Sequence, residues 1–221
     1  MGANVWKHAP SIAAMANDKL RYYFDADRLT SRAPKDSSGG SIAVDFAYRG
    51  DIDRVIAGGG IEASAIDTVD VLTFVSDPLP RRTELSGLFS GQLNLITNVK
   101  DFDLYIALYE LTAVGKYVLL STMNLRASHA KSLERRELLE PGVPHRLSFS
   151  SIRLMSRDVK PGSRLVVQWG PIKAPSLQIN YGSGKDVSDE TIADAREPLT
   201  IRWLRGSFID IPIRRAATQL R

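Results

Sequence analysis

The chain has 221 residues, no cysteine, 43% hydrophobic and 24% charged residues, and a formal net charge of +4. That length suits one large all-β domain or two small ones, with a core that needs no cross-links. The missing cysteines exclude disulfides and thiolate metal sites, and basic residues scattered as doublets (Arg81-Arg82, Arg135-Arg136, Arg214-Arg215) argue against a nucleic-acid groove.

No apolar run approaches the ~18 residues of a membrane span, so no membrane partner is expected. The first ten residues lack the apolar stretch of a secretory signal. A soluble product is expected, and its compartment stays open between cytoplasmic and exported.

Strand signals dominate the chain. Residues 19–25 set Leu20, Tyr22 and Phe24 against Arg21 and Tyr23, and residues 41–46 alternate Ile42, Val44 and Phe46. Further strands are expected over 69–75, 85–96, 103–111, 116–126, 144–157, 163–169, 199–204 and 207–213. Strand 103–111 should turn at Ala113-Val114-Gly115 and return along 116–126, with Gly115 at positive φ and paired residue numbers adding to about 228. Helix signals are few: Ser11 before a short turn, Ser188 opening an acidic first turn over 188–195, and a charged stretch at 128–139 that reads as helix or irregular loop. Residues 30–40 and 50–65, the latter with Gly58-Gly59-Gly60, read as surface loops. Without α-β alternation, the fold class is all-β, a sandwich or barrel with one or two short helices.

Catalytic signatures are missing. Gly87-Leu-Phe-Ser90-Gly91 has the wrong spacing for a nucleophile elbow. Gly184-Lys185 runs into Asp186 and fails as a phosphate loop, and Gly182-x-Gly184 lacks a third glycine. His8, His129 and His145 have no metal-ligand spacing. No catalytic, cofactor-binding or metal-ligating residue is therefore assigned, and no cofactor is expected. Asp101-Phe102-Asp103 could serve acid/base or calcium chemistry, but fits better a strand start whose carboxylates cap local amides. Arg126, at the far end of the returning strand, is the candidate structural partner of Asp103. Trp169, Tyr181 and Trp203 could form a sugar-stacking face, with core filling as the default.

From Asp101 the chain resembles a known family. Asp-Phe-Asp-Leu-Tyr-Ile-Ala-Leu-Tyr-Glu-Leu, the Gly115 turn, the strand ending Leu125-Arg126, then Glu137-Leu-Leu-Glu-Pro-Gly142 and Lys160-Pro-Gly-Ser-Arg-Leu165 follow the order seen in the C-terminal domain of the cocaine-esterase and X-Pro dipeptidyl-peptidase (S15) serine hydrolases. Alpha-amino-acid ester hydrolases and glutaryl-cephalosporin acylases are similar. Residues 67–87 look like that domain's lead-in, and Met1–Trp6 like the junction with the hydrolase domain. The resemblance implies a galactose-binding-domain-like jelly roll of two antiparallel sheets. It divides the chain into N-terminal strands (1–66), a family-like core (67–213) and a tail (214–221), with the likeness weakest before residue 67.

The resemblance also implies a non-catalytic part of a serine ester, amide or peptide hydrolase. Its partner would be an upstream α/β-hydrolase catalytic domain, whose active site it helps shape; self-association into a homo-oligomer stays open, and the chain alone is expected to be inactive. The alternative is a free-standing carbohydrate- or ligand-binding sandwich. Two departures stand out: Arg126-Ala-Ser-His129, and residues 170–182 in place of the family's usual segment. The second is apolar for a loop, so Trp169, Ile172, Leu177, Ile179, Asn180 and Tyr181 are the candidate domain interface.

Overall fold

The structure, a computed structural model, describes residues 1–35, 39–50, 61–174 and 176–215. The loops expected at 30–40 and 50–65 and the tail at 214–221 lie partly outside the described residues. The strands are β1 (Asp18–Asp25), β2 (Arg28–Thr30), β3 (Ser41–Val44), β4 (Glu62–Ala63), β5 (Leu72–Ser76), β6 (Thr83–Gly87), β7 (Ser90–Thr97), β8 (Asp103–Leu111), β9 (Tyr117–Arg126), β10 (His145–Ser150), β11 (Met155–Val159), β12 (Arg164–Pro171), β13 (Leu199–Trp203) and β14 (Phe208–Arg214).

They build an all-β, jelly-roll-like sandwich. One layer runs β2–β5–β12–β8–β9–β4. The other centres on β7, flanked by β10, β13 and β14, with β3 beyond β13 and β6, β11 and β1 around β14. The layers are not separate sheets. β1 pairs with β14 and turns tightly into β2, so one hydrogen-bonded path runs through both, and the β2–β5 step is parallel.

The β8–β9 hairpin forms as the sequence predicts. Gly115 has φ of 79°, its amide donates to the Thr112 carbonyl at 2.9 Å, and Thr112 donates to the Lys116 carbonyl at 2.8 Å. Near the turn Leu111 faces Tyr117 and Glu110 faces Val118; beyond a bulge at Leu120, Leu108 faces Ser121 and Asp103 faces Arg126. The bulge shifts the register by one residue, which alternation alone does not reveal.

Two expected long strands are each broken. Residues 85–96 split into β6 and β7 at Leu88-Phe89, and 144–157 split into β10 and β11 at residues 151–154. The breaks face each other: β7 pairs with β10, β6 with β11, and Ser151 donates its amide to the Phe89 carbonyl. A two-stranded ribbon thus bends as a unit. Gly87 takes φ of 125° at the bend. Pro212, which has no N–H to leave unpaired, sits beside it within β14.

The helical expectations reduce to 3₁₀ turns. Ser11 Oγ accepts from the Ala14 amide ahead of the turn Ala13–Met15. The 188–195 signal is two separate turns, Val187–Asp189 capped by Asp186 and Ile192–Asp194 with a Thr191/Asp194 capping box. A third turn, Ala127–His129, follows β9, and the chain then runs irregularly to 139.

The core is aromatic at its centre. Trp169 of β12 and Trp203 of β13 meet edge to face at 5.7 Å across the layers, Phe74 stacks on Trp169, and Phe24 packs on Phe74 at 4.8 Å. Trp169 and Trp203 are therefore core residues, not a sugar-stacking platform. A polar pin crosses the core elsewhere: the buried Glu110 carboxylate accepts from Arg157 Nε at 2.7 Å and Ser163 Oγ at 2.9 Å. Removing one partner strands a desolvated charge. Glu110→Ala should cost about 3–5 kcal/mol in urea unfolding. Adding Arg157→Met should recover much of it; no recovery would mean that the pin is not the source of the loss.

Candidate functional site

Paired residues on adjacent strands share a face, so register shows what each layer presents outward. In the β7-centred layer the outward residues include Lys19, Arg21, Asp210, Arg146, Ser148, Thr200 and Arg202. Arg21 forks onto Asp210 at 2.7 Å and covers the Phe208 ring at 3.9 Å. Burial opposes ionisation of Asp210, but hydrogen bonds from Arg21 and Lys19 outweigh it and hold the carboxyl below its ordinary range. This is a solvated face.

The opposite layer differs. The outward residues of β8, β9 and β12 are charged at the two ends, Asp103 with Arg126 at one and Arg164 at the other, and between them include Tyr105, Ala107, Tyr109, Leu111, Tyr117, Leu119, Thr122, Asn124, Val166 and Gln168. The edges of residues 61–71 and 171–174, with Leu177, rise around them and leave a cleft of about 440 Å³. Its floor holds Tyr105, Tyr109 and Tyr117, the last two edge to face at 6.5 Å. At its rim Ile61 is 69% exposed, Leu177 46%, Val69 42% and Leu119 41%, all large apolar side chains in water.

Burial pushes the Tyr109 phenol well above its ordinary value, with the adjacent Tyr105 adding to the rise. Burial raises Tyr105 as well, against the opposing effects of its bond with Tyr109 and the Arg153 charge. Both phenols are neutral donors at any physiological pH.

The segment after β12 is tied to the end of the sandwich by polar groups. Arg126 forks onto Asp103 with two bonds of 2.8 Å, as the sequence proposes, and raises no catalytic prospect there. Asn180 donates to Asp103 Oδ1 at 3.2 Å and accepts from the Gly182 amide at 3.1 Å. Glu190 accepts from the amides of Tyr181 and Ser183 at 2.7 and 2.8 Å. Asp101, fully buried, accepts from the amides of Phe102 and Ser128 and from Ser128 Oγ, and Arg136 reaches it at 3.1 Å. It caps local amides, as the sequence suggests.

The candidate interface residues are thus not together on one surface. Trp169 points into the core and is closed off by this domain's own aromatics. Ile179 and Asn180 are buried at the end of the sandwich, and Tyr181 packs against Phe46 at 6.0 Å. Their polar ties fold the loop back on its own domain. Ile172 lines the cleft and Leu177 stands at its rim.

His129 Nδ1 lies 3.2 Å from the Ser132 carbonyl, and His145 Nε2 lies 2.8 Å from that of Glu140, so both serve loop backbone. The tyrosine cleft was missed from sequence, although the near-continuous apolar run of β8 is the signal of a strand covered on both faces.

Phenolate absorbance should report the tyrosines directly. Tyr22, Tyr105 and Tyr109, three of seven tyrosines, have raised values. They should ionise late in the folded protein and near the ordinary ~10 once unfolded. A raised folded value contributes stability that is complete below the unfolded pKa and is lost as pH rises through the folded one. Tyr109→Phe should remove one late-titrating group; an unchanged titration curve would refute the assignment.

The family described as "X-Pro dipeptidyl-peptidase C-terminal non-catalytic domain" matches residues 2–168. The match takes in the first sixty residues, where the motifs were weakest, and stops where the divergent 170–182 segment begins. No curated protein matches the sequence at a significant level. Among solved structures, an aminopeptidase from the marine sediment archaeon Thaumarchaeota archaeon is 18% identical with a TM-score of 0.79, covering 96% of this chain and 39% of that one. An alpha-amino acid ester hydrolase is 19% identical with a TM-score of 0.71, covering 96% and 40%. A CocE/NonD family hydrolase from Staphylococcus aureus is 16% identical with a TM-score of 0.65, covering 95% and 38%. The chain spans about two-fifths of each of these, and at such identities the likeness is one of fold. On the family match, the chain belongs to the X-Pro dipeptidyl-peptidase C-terminal non-catalytic domain family.

Proposed function

We propose that this domain works as the non-catalytic part of a serine hydrolase acting on ester, amide or peptide bonds, packed against an α/β-hydrolase catalytic domain and helping to wall its active site. The observation that carries the reading is the family match over residues 2–168, the family being a non-catalytic domain by its own description. The similar solved chains add to it: they are an aminopeptidase, an ester hydrolase and a CocE/NonD hydrolase, each with some three-fifths of its length outside the shared fold.

The chemistry of this chain agrees. Among the described residues, the buried carboxylates Asp101, Glu110 and Asp210 and the half-buried Asp103 are each engaged by arginine and further donors that fix strands and loops. Such groups stabilise a scaffold; a nucleophile would need a base within hydrogen-bond reach. Ser121 and Ser151, the buried serine pair at 2.9 Å, bond each other and the Arg153 carbonyl.

The purified chain should neither turn over an activated nitrophenyl ester nor take up an active-site fluorophosphonate. Stoichiometric labelling of one serine, abolished by His129→Ala or His145→Ala, would replace this reading with that of an independent enzyme.

A further inference from the structure

We infer that the tyrosine-floored cleft on the β8–β9–β12 face is the socket into which the catalytic domain docks, taking an apolar, uncharged segment of that domain. The inference rests on the proposed function and adds where the contact lies.

Three observations converge on this face. The first is the contrast between the two outer surfaces. β10 and β13 show strict alternation of buried and more exposed residues, with charged or hydroxyl side chains outward. β8 and β12 lose that alternation, because the central stretch of their outward sides is tyrosines, Ala107, Val166 and Gln168, with the charged Asp103 and Arg164 only at the two ends. An outer sheet face that is apolar at its centre is one that something covers.

The second is that this chain covers the face only in part. Residues 61–71 and 171–174 wall the cleft but leave Ile61, Val69, Leu119 and Leu177 exposed at its rim. An interface core is where apolar and tyrosine side chains of this kind are desolvated by a partner. Gln168 is already spent within the chain, on the Asp67 carbonyl and Thr73 Oγ1. Tyr105 and Tyr109 already share a hydrogen bond, and the floor's remaining polar capacity is that of neutral hydroxyls, which suits a segment offering backbone groups beside apolar side chains and disfavours a charged one.

The third is the length of chain unaccounted for. In the similar solved structures this fold takes up only 38–40% of the polypeptide, so a larger body has to meet the sandwich on some surface. The β1–β14–β13 face, with its Arg21–Asp210 fork and Arg202, would carry charge into such a contact at a desolvation cost. On the other face the tyrosine floor is uncharged, and the cleft's lining carries one residue of each sign, Asp67 and Lys173.

The absence of cysteine makes the test clean, since one introduced thiol is the only one. Leu119→Cys marks the cleft and Arg202→Cys the opposite face, each checked for unchanged thermal unfolding, with Leu177→Cys in reserve if Leu119→Cys fails to fold. Maleimide labelling rates are compared for the chain alone and with a cognate α/β-hydrolase domain, while gel filtration reports the complex. The expected result is co-elution with labelling slowed roughly tenfold at Leu119→Cys and unchanged at Arg202→Cys, as water and reagent are excluded from an interface core. Co-elution with protection at Arg202→Cys, or at neither position, overturns the socket while leaving the proposed function standing. No co-elution defeats both. A dimer of the chain alone that already protects Leu119→Cys would give the cleft to a second copy and also overturn the assignment.

Discussion

Everything in this molecule depends on the edge-to-face contact of Trp169 with Trp203. Trp169 lies on a central strand of one layer and Trp203 on a strand of the other, and each is almost wholly enclosed. Aromatic side chains bring large buried area and prefer this geometry. Phe74 and Phe24 fill the flanks, so four rings set the spacing of the layers. Once that spacing is fixed, the outward side of β12 must present Val166 and Gln168, and that of β8 must present Tyr105 and Tyr109. The core thereby determines which residues the surface offers.

The polar groups hold the ends of the sandwich where the aromatics do not reach. Glu110 with Arg157 and Ser163 ties β8 to β11 and to the turn before β12. Asp103 with Arg126 and Asn180 ties the hairpin to the loop after β12. Buried pairs of this sort add little net stability but penalise any arrangement that separates them. They specify which loop lies on which edge, and so keep Ile172 and Leu177 beside the cleft. The same carboxylates might have suggested catalysis in isolation; their partners make them structural.

Much of the fold was legible because alternation is a local signal. β1, β8, β9 and β13 lie close to where period-two patterning puts them, and Gly115 announces the hairpin turn through the positive φ it must adopt. The corners were not legible. Leu88-Phe89 and residues 151–154 continue the apolar pattern, and only the pairing of β6 with β11 and β7 with β10 shows that both strands bend there. Nor was the site. Trp169 looked available for an interface because it opens a segment that is apolar for a loop, yet strand parity turns it inward. Asn180 and Glu190 close the following loop through bonds between residues far apart in composition from any motif. Tyr105 and Tyr109, two turns of the pleat apart, were within reach of sequence reasoning: a run apolar on both parities is covered on both faces.

On the proposed reading, this domain offers its tyrosine face to a catalytic domain. Hydrogen exchange of the β8–β9 hairpin, in this chain alone and joined to its hydrolase domain, tests it most directly. Amides around Tyr105, Tyr109 and Leu119 should gain protection on joining, while those of β13 and β14 stay as they were. Added protection on β13 and β14 with none on the hairpin would contradict it.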